Sequence, residues 1–211
     1  MIPKSHPRYV SLKTRDNIVK GVGKGITSIH GLIAQGRGEA FDYLIGEKTT
    51  LKAKQQIKKA AKLLKSAKHP IISVNGNVAA LVPKEIIQLS KAIPAKLEVN
   101  IFHSSKKREI KIKKWLIKHG AKEVLLPTKP LIKGIDHNRR FCNLQGIAKA
   151  DVVFVPLEDG DRCQALEKMG KKVITIDLNS KSRTAKAATI TIVDNITRAL
   201  PLLVKEIKKI K

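Results

Sequence analysis

Residues 151–155 (DVVFV) and 172–178 (KVITIDL) decide the fold class. Both are short runs rich in β-branched residues, and each stops at a strand breaker, Pro156 for the first and Asn179 for the second. Four more runs share this character. Ile71 to Val74 follows Pro70 and ends at Asn75-Gly76-Asn77, and Lys96 to Phe102 alternates apolar with polar. Glu123 to Leu126 precedes Pro127, and Ala188 to Val193 ends at Asp194-Asn195. Between these runs apolar residues recur with helical spacing: Ile57, Ala60, Ala61 and Leu64, then Ile112, Trp115, Leu116 and His119 before Gly120. Ile196, Ala199, Leu200, Leu203, Ile207 and Ile210 form a stripe on the last helix. Pro201 inside that stripe predicts either a kink or a helix that starts close enough to hold it in the first turn. Strands alternating with helices predict βαβ units. The expected fold is therefore Rossmann-like α/β: a mostly parallel sheet flanked by helices, right-handed crossovers, and ligands at the carboxyl ends of the strands.

Residues 1–50 differ. They look helical over Thr14–Lys24 and Ala40–Ile45 and hold no clear strand. So short a segment buries little apolar surface by itself. The expectation is a single domain over 1–211, with a helical N-terminal arm (1–50) packed on a Rossmann-like core (51–211).

Lys and Arg number 43 against 17 Asp and Glu, a net charge of +26, which favours anionic partners. The excess is uneven: residues 1–50 carry +4, residues 51–150 carry +18 and residues 151–211 carry +4. Cys142 and Cys163 are the two cysteines, with no C-x-x-C, which excludes a disulfide scaffold or a cysteine-based zinc site and suits a reducing cytosol. The N-terminal MIPKSHPRYV has no apolar signal region, and no apolar run is long enough to span a membrane. A cytoplasmic protein without membrane association is expected.

Several familiar chemistries have no motif here. There is no G-x-x-x-x-G-K-[ST], no G-x-G-x-x-G between a strand and a helix, no H-E-x-x-H and no G-x-S-x-G. Gly21, Gly23 and Gly25 come closest to a phosphate loop but sit in a helical pattern. What remains are polar clusters just past strand ends: Asn75-Gly76-Asn77, Leu157 to Arg162 (LEDGDR), Asp177-Leu178-Asn179 and Asp194-Asn195. Each alone reads as a helix N-cap, a role that Asn and Asp favour. In a parallel sheet all four converge on one edge. Arg162 and Arg183 lie close to two of them, which points to an anion-binding crevice. Asp177 is placed to accept hydrogen bonds from ribose hydroxyls, and Arg183-Thr184 to hold phosphate. In the arm, Gly36-Arg37-Gly38 precedes Glu39 and Asp42, which fits either close approach to a ligand or an acidic helix start. Ser5-His6-Pro7-Arg8 is a second dense polar segment.

These residues carry a resemblance. IPKSHPRY (2–9), GLIAQGRGEAFDYLIGEKT (31–49), ISVNGNVAALVPKE (72–85), VPLEDGDR (155–162), TIDLNSKSRTA (175–185) and TIVDNI (191–196) resemble the archaeal-type phosphopantothenate synthetases, the 4-phosphopantoate–β-alanine ligases. The likeness covers nearly the whole chain and is loosest over 103–148. It implies condensation of 4-phosphopantoate with β-alanine through an acyl-adenylate, with ATP as co-substrate and AMP and pyrophosphate released, in coenzyme A biosynthesis. It also implies Mg²⁺ and a homodimer. Such a reaction needs cations and backbone donors for its phosphates and no protein nucleophile, in keeping with the absence of a Cys or Ser constellation. No catalytic acid or base stands out.

Carried over residue by residue, the resemblance places ATP on Arg15, Arg37, Asp177, Leu178, Asn179, Arg183, Thr184, Asn195 and Ile196. His6, Arg8, Glu39, Asn75, Asn77, Asp159 and Arg162 are the residues expected to meet phosphopantoate and β-alanine. Whether the carboxylates meet Mg²⁺ or the β-alanine ammonium stays open. The alternative class is a basic nucleic-acid-binding protein. Four Phe, two Tyr and one Trp leave few stacking platforms for that, and 34 Lys to nine Arg is a poor ratio for bidentate readers. A dinucleotide-dependent oxidoreductase lacks its glycine fingerprint.

Overall fold

The computed structural model describes residues 2–210. The arm consists of α1 (Tyr9–Gly23) and α2 (Ile29–Leu44). After it come α3 (Leu51–Ser66), β1 (Pro70–Val74), α4 (Gly76–Leu81), α5 (Pro83–Ala92), β2 (Lys96–Val99), α6 (Lys106–Lys118) and β3 (Val124–Leu125). A hairpin of β4 (Lys129–Pro130) and β5 (Phe141–Cys142) follows, with a 3₁₀ turn over Asn138–Arg140 between its strands. The chain closes with β6 (Val152–Phe154), α7 (Gly160–Lys168), β7 (Lys172–Ile176), α8 (Arg183–Ala187), β8 (Ile190–Ile192) and α9 (Ile196–Lys209).

Six strands form one sheet in the order β3-β2-β1-β6-β7-β8, and every neighbouring pair is parallel. The chain winds outward in one direction from β1 and in the other from β6. The crevice between these two strands is thus the topological switch point of a Rossmann-like sheet. Both faces are covered. Ile72, Val74, Val152, Phe154, Ile174 and Ile176 belong to the core on one side, Ile71, Val153, Val155 and Val173 to the core on the other. That alternation is why the strands read as nearly continuous apolar runs. Each such side chain contributes roughly 1.5–3 kcal/mol. The first core is closed by Ile57, Ala60, Ala61 and Leu64 of α3 and by Ala199, Leu200, Leu203 and Ile207 of α9. The second is closed in part by non-helical chain: Ile132, Ile135, Cys142 and Ile147.

Two readings are narrowed and one element is added. Pro201 lies beyond the first turn of α9, and the helix runs on to Lys209, because the buried stripe around it outweighs one lost backbone hydrogen bond. Gly36-Arg37-Gly38 does not start a helix but lies inside α2, which begins at Ile29. The antiparallel hairpin was not anticipated; its strands have two residues each, too short for a periodic signal. Among the described residues no helix is long and apolar enough to cross a membrane.

Candidate active site

At the switch point, Asn75 follows β1 and has two duties. Its Oδ1 accepts from Val78 N (3.0 Å), capping α4, and its Nδ2 donates to the carbonyls of Pro156 (3.1 Å) and Leu157 (3.0 Å) beyond β6. Leu157 is held at φ 57°, a left-handed conformation that costs a non-glycine residue on the order of 1–2 kcal/mol. The turn it creates delivers Glu158, Asp159 and Gly160. The Glu158 side chain is fully buried between Arg139 (2.8 Å) and Arg162, and Arg162 also reaches Ser73 Oγ (3.2 Å). At Gly160 any side chain would run into Arg183, so this glycine lets α7 and α8 meet at the sheet edge.

Asp177 turns the chain after β7, accepting from Asn179 N (2.9 Å) and from Ser182 Oγ. Thr184 Oγ1 donates to the Glu158 carbonyl (2.8 Å), and Asn195 caps α9 through Thr197 N (3.1 Å). These are the N-cap and turn roles that their residue types favour, yet the turns also enclose a cleft of about 490 Å³. Arg37, Gly38 and Phe41 of α2 form its other wall. Arg37 and Arg183 are exposed there, and among the described residues neither pairs with a carboxylate. A second cleft of about 310 Å³ adjoins the first. Ala34, Asn77, Leu157 and Asp159 line both. The second cleft adds His30 stacked on His103, with ring centroids 4.2 Å apart, together with Arg108 and Arg139. Burial lowers the Arg108 guanidinium, which donates to the His103 carbonyl at 2.9 Å.

The sequence-derived residues therefore divide. Arg37, Asp177, Leu178, Asn179, Arg183, Thr184, Asn195 and Ile196 line the larger cleft, and Asn75, Asn77 and Asp159 line the smaller. Arg162 is buried beneath the site and binds Glu158. Asn77 spends its amide on Thr27 Oγ1 and the Gly31 carbonyl, tying the arm to the core. Arg15, Arg8 and Glu39 line a different hollow, between α1 and α2. There the Arg15 hydrogen bond holds the Glu39 carboxyl below its ordinary value, against burial. His6 is exposed and accepts from Arg8 N (3.0 Å). Sequence reasoning missed His30, His103, Arg108, Arg139 and Glu158; of these only Glu158 lay inside a motif that had been singled out.

A profile of the phosphopantothenate/pantothenate synthetase family matches residues 52–211. Full-length relatives extend the match into the arm. The 4-phosphopantoate–β-alanine ligase of Thermococcus kodakarensis is 53% identical over 212 residues, covering 100% of this chain and 81% of that protein. The ligase of Methanosarcina mazei is 52% identical over 210 residues, covering 100% and 83%, and that of Methanospirillum hungatei 54% over 200 residues, covering 95% and 82%. The chain belongs to the phosphopantothenate/pantothenate synthetase family. In this synthetase the clefts gather at the one sheet edge where a Rossmann-like fold binds its ligands, and the arm, which the family profile omits, supplies a wall of the larger one.

Proposed function

We infer that the protein is an ATP-dependent carbon–nitrogen ligase of coenzyme A biosynthesis. It joins 4-phosphopantoate to β-alanine through an acyl-adenylate and releases AMP and pyrophosphate. The observation that carries this reading is two arginines, Arg37 from the arm and Arg183 from the core, that pair with no carboxylate among the described residues and line a cleft at the switch point. Five other arginines (8, 15, 139, 162 and 198) are committed to carboxylates of the chain. ATP occupies the larger cleft, with Asp177 toward the ribose, Leu178 and Phe41 against apolar surface, and Arg37 and Arg183 on phosphate. Phosphopantoate occupies the smaller cleft, its phosphate toward Arg108, His30 and His103. Its carboxylate then lies toward the shared wall at Asn77 and Asp159.

The chemistry follows from that division. Two anions must meet when the carboxylate oxygen attacks the α-phosphorus, and cations held by the fold offset their repulsion without reorganising. The α-phosphorus–oxygen bond to pyrophosphate breaks, and the acyl carbon acquires AMP as its leaving group. Magnesium fits as a companion of the triphosphate. Among the described residues no group of three His, Cys, Asp or Glu could cage a metal, and a phosphate-bound magnesium takes much of its coordination from the phosphates and water. When bound, it supplies charge neutralisation to the phosphates.

A homodimer is part of the same reading. Val10, Val19, Ile29, Ile33, Tyr43 and Leu44 on the arm are exposed, an apolar surface that a second arm would cover. Val19 and Tyr43 of that surface line the same hollow as Arg8, Arg15 and Glu39, so a second arm seated there would lie beside these residues. The ligase reading is tested by supplying ATP, β-alanine and 4-phosphopantoate and following AMP. AMP that requires both organic substrates is expected, and its absence overturns the assignment.

A further inference from the structure

We propose that Arg139 is a positioning residue for the second half of the reaction, fixing Asp159 at the junction of the two clefts so that its remaining oxygen receives the β-alanine ammonium. The proposal rests on the ligase reading above and separates two roles, metal and ammonium, that the sequence left open for this carboxylate.

The first support is elimination. Glu158, Asp159 and Asp177 are the carboxylates lining the two clefts. Glu158 is buried and bound by two arginines, and Asp177 accepts from Asn179 N and Ser182 Oγ and faces the ribose in the reading above. Asp159 gives Oδ2 to Arg139 Nη1 at 2.6 Å, and among the described residues nothing donates to its Oδ1. Its side chain is 43% exposed and lines both clefts. In a site otherwise rich in arginine and histidine, this is the anionic oxygen left for a cation.

The second support is what Asp159 fails to do. It occupies the N-cap position of α7 but makes no side-chain cap bond, although Asp is among the residues that most favour that bond. Arg139 holds the carboxylate elsewhere. The Arg139 side chain is almost wholly buried: Nε donates to Asn100 Oδ1 (2.9 Å) and Nη2 to Glu158 Oε2 (2.9 Å). Asp159 N donates to Glu158 Oε1 (2.7 Å), so backbone and side chain are both clamped. Since Arg162 already matches the charge of Glu158, Asp159 is the counterion left to Arg139.

In the step served, the amine lone pair forms the C–N bond, and the acyl C–O bond breaks with its electrons leaving on AMP. One of the three ammonium protons stays on the amide. The other two pass to solvent, one before attack and one from the tetrahedral adduct.

The test separates the half-reactions in Arg139→Met, Arg139→Lys and Asp159→Asn. Adenylation is read as phosphopantoate-dependent exchange of pyrophosphate into ATP, and the acyl-adenylate is trapped with hydroxylamine as hydroxamate. The second half is read as KM for β-alanine. Arg139→Met and Asp159→Asn are expected to raise that KM about tenfold or more, the value of one charge-assisted hydrogen bond, while exchange and hydroxamate fall far less. Arg139→Lys should recover part of the loss. Parallel loss of exchange and β-alanine use, or an unchanged KM, overturns the proposal. If Arg139→Met does not fold, Asp159→Asn carries the test, because Arg139 keeps Glu158 and Asn100 there. Absence of exchange in the unsubstituted protein would overturn the ligase reading instead.

Discussion

Asn75 Nδ2 and the Leu157 carbonyl oxygen, 82 residues apart in sequence, meet at 3.0 Å across the switch point. Through that bond and its partner to Pro156, the end of β1 holds the left-handed turn that presents Glu158 and Asp159. Asn75→Asp keeps an acceptor for the α4 cap but has no donor for the two carbonyls, whereas Asn75→Ala loses both. Asn75→Asp is expected to lower stability by about 1–3 kcal/mol through the unsatisfied carbonyls and to cut kcat. Denaturant titration and steady-state rates would check this; a variant of unchanged activity would show that the turn holds itself.

Nucleotide binding should depend on the two arginines of the larger cleft, Arg37 and Arg183, that pair with no carboxylate among the described residues. Arg37→Ala and Arg183→Ala each remove a cation without stranding a buried carboxylate, so folding should be little changed. Each is expected to weaken ATP binding by about tenfold or more, the value of a hydrogen bond to a charged group. Asp177→Ala should weaken it as well while loosening the turn to Ser182. Calorimetric titration with ATP is the measurement, and normal affinity in all three would move the nucleotide elsewhere.

The arm is latched by Asp42, whose side chain is buried against Arg198 Nη2 (2.5 Å) and Asn195 Nδ2 (2.8 Å). Asp42→Ala leaves Arg198 only Asp194 as a carboxylate partner (2.6 Å) and removes the acceptor from Asn195. Breaking a buried pair on one side costs about 3–5 kcal/mol. Faster proteolysis within 1–50, with a weakened ATP site, is the expected outcome.

Glu98 makes stability depend on pH. Burial pushes its carboxyl up to about 7, although Asn143 N (2.8 Å) and Ile147 N (2.7 Å) donate to it. The folded-state value lies above that of an unfolded glutamate, roughly 4.3. The stability tied to the proton is thus fully present below about pH 4 and lost as pH rises through about 7. Over that window the loss is on the order of 3 kcal/mol. The stability difference between the unsubstituted protein and Glu98→Gln, followed by denaturation from pH 4 to 8, should shift by that amount toward the variant.

Burial pushes the Cys142 and Cys163 thiols up to about 11 and about 12. Thiolate is the reactive form, so neither should react with Ellman's reagent at pH 8 until denaturant is added. Rapid labelling of the native protein would contradict their burial.

Much of the fold and part of the site could be read from the chain. The runs at 71–74, 151–155 and 172–178 declared strands because a sheet covered on both faces demands continuous apolar residues, and the alternating run at 96–102 declared β2, of which Lys96–Val99 is strand. The polar clusters that follow them had to converge, because parallel strands bring their carboxyl ends to one edge. That is why Asp177, Asn179, Arg183 and Asn195 line a single cleft. Such inferences are local: they need only a period and a stop.

The sequence by itself thus determined the alternation of strands and helices, the sheet edge that carries polar turns, and the near-balanced segments in which the cleft lies. It did not determine the partner of each charge. Arg162 looked like a ligand residue and became the buried counterion of Glu158. Arg8 and Arg15 were spent on Glu39, while Arg139, from a hairpin with no periodic signal, became the clamp on Asp159. Those assignments belong to the tertiary structure. An ion pair forms between groups that burial and topology bring within a few ångströms, and neighbours on the chain carry no record of contacts made across 20 to 31 residues; Glu158 and Arg162, four apart, stood close enough to pair, but their common burial is a tertiary property.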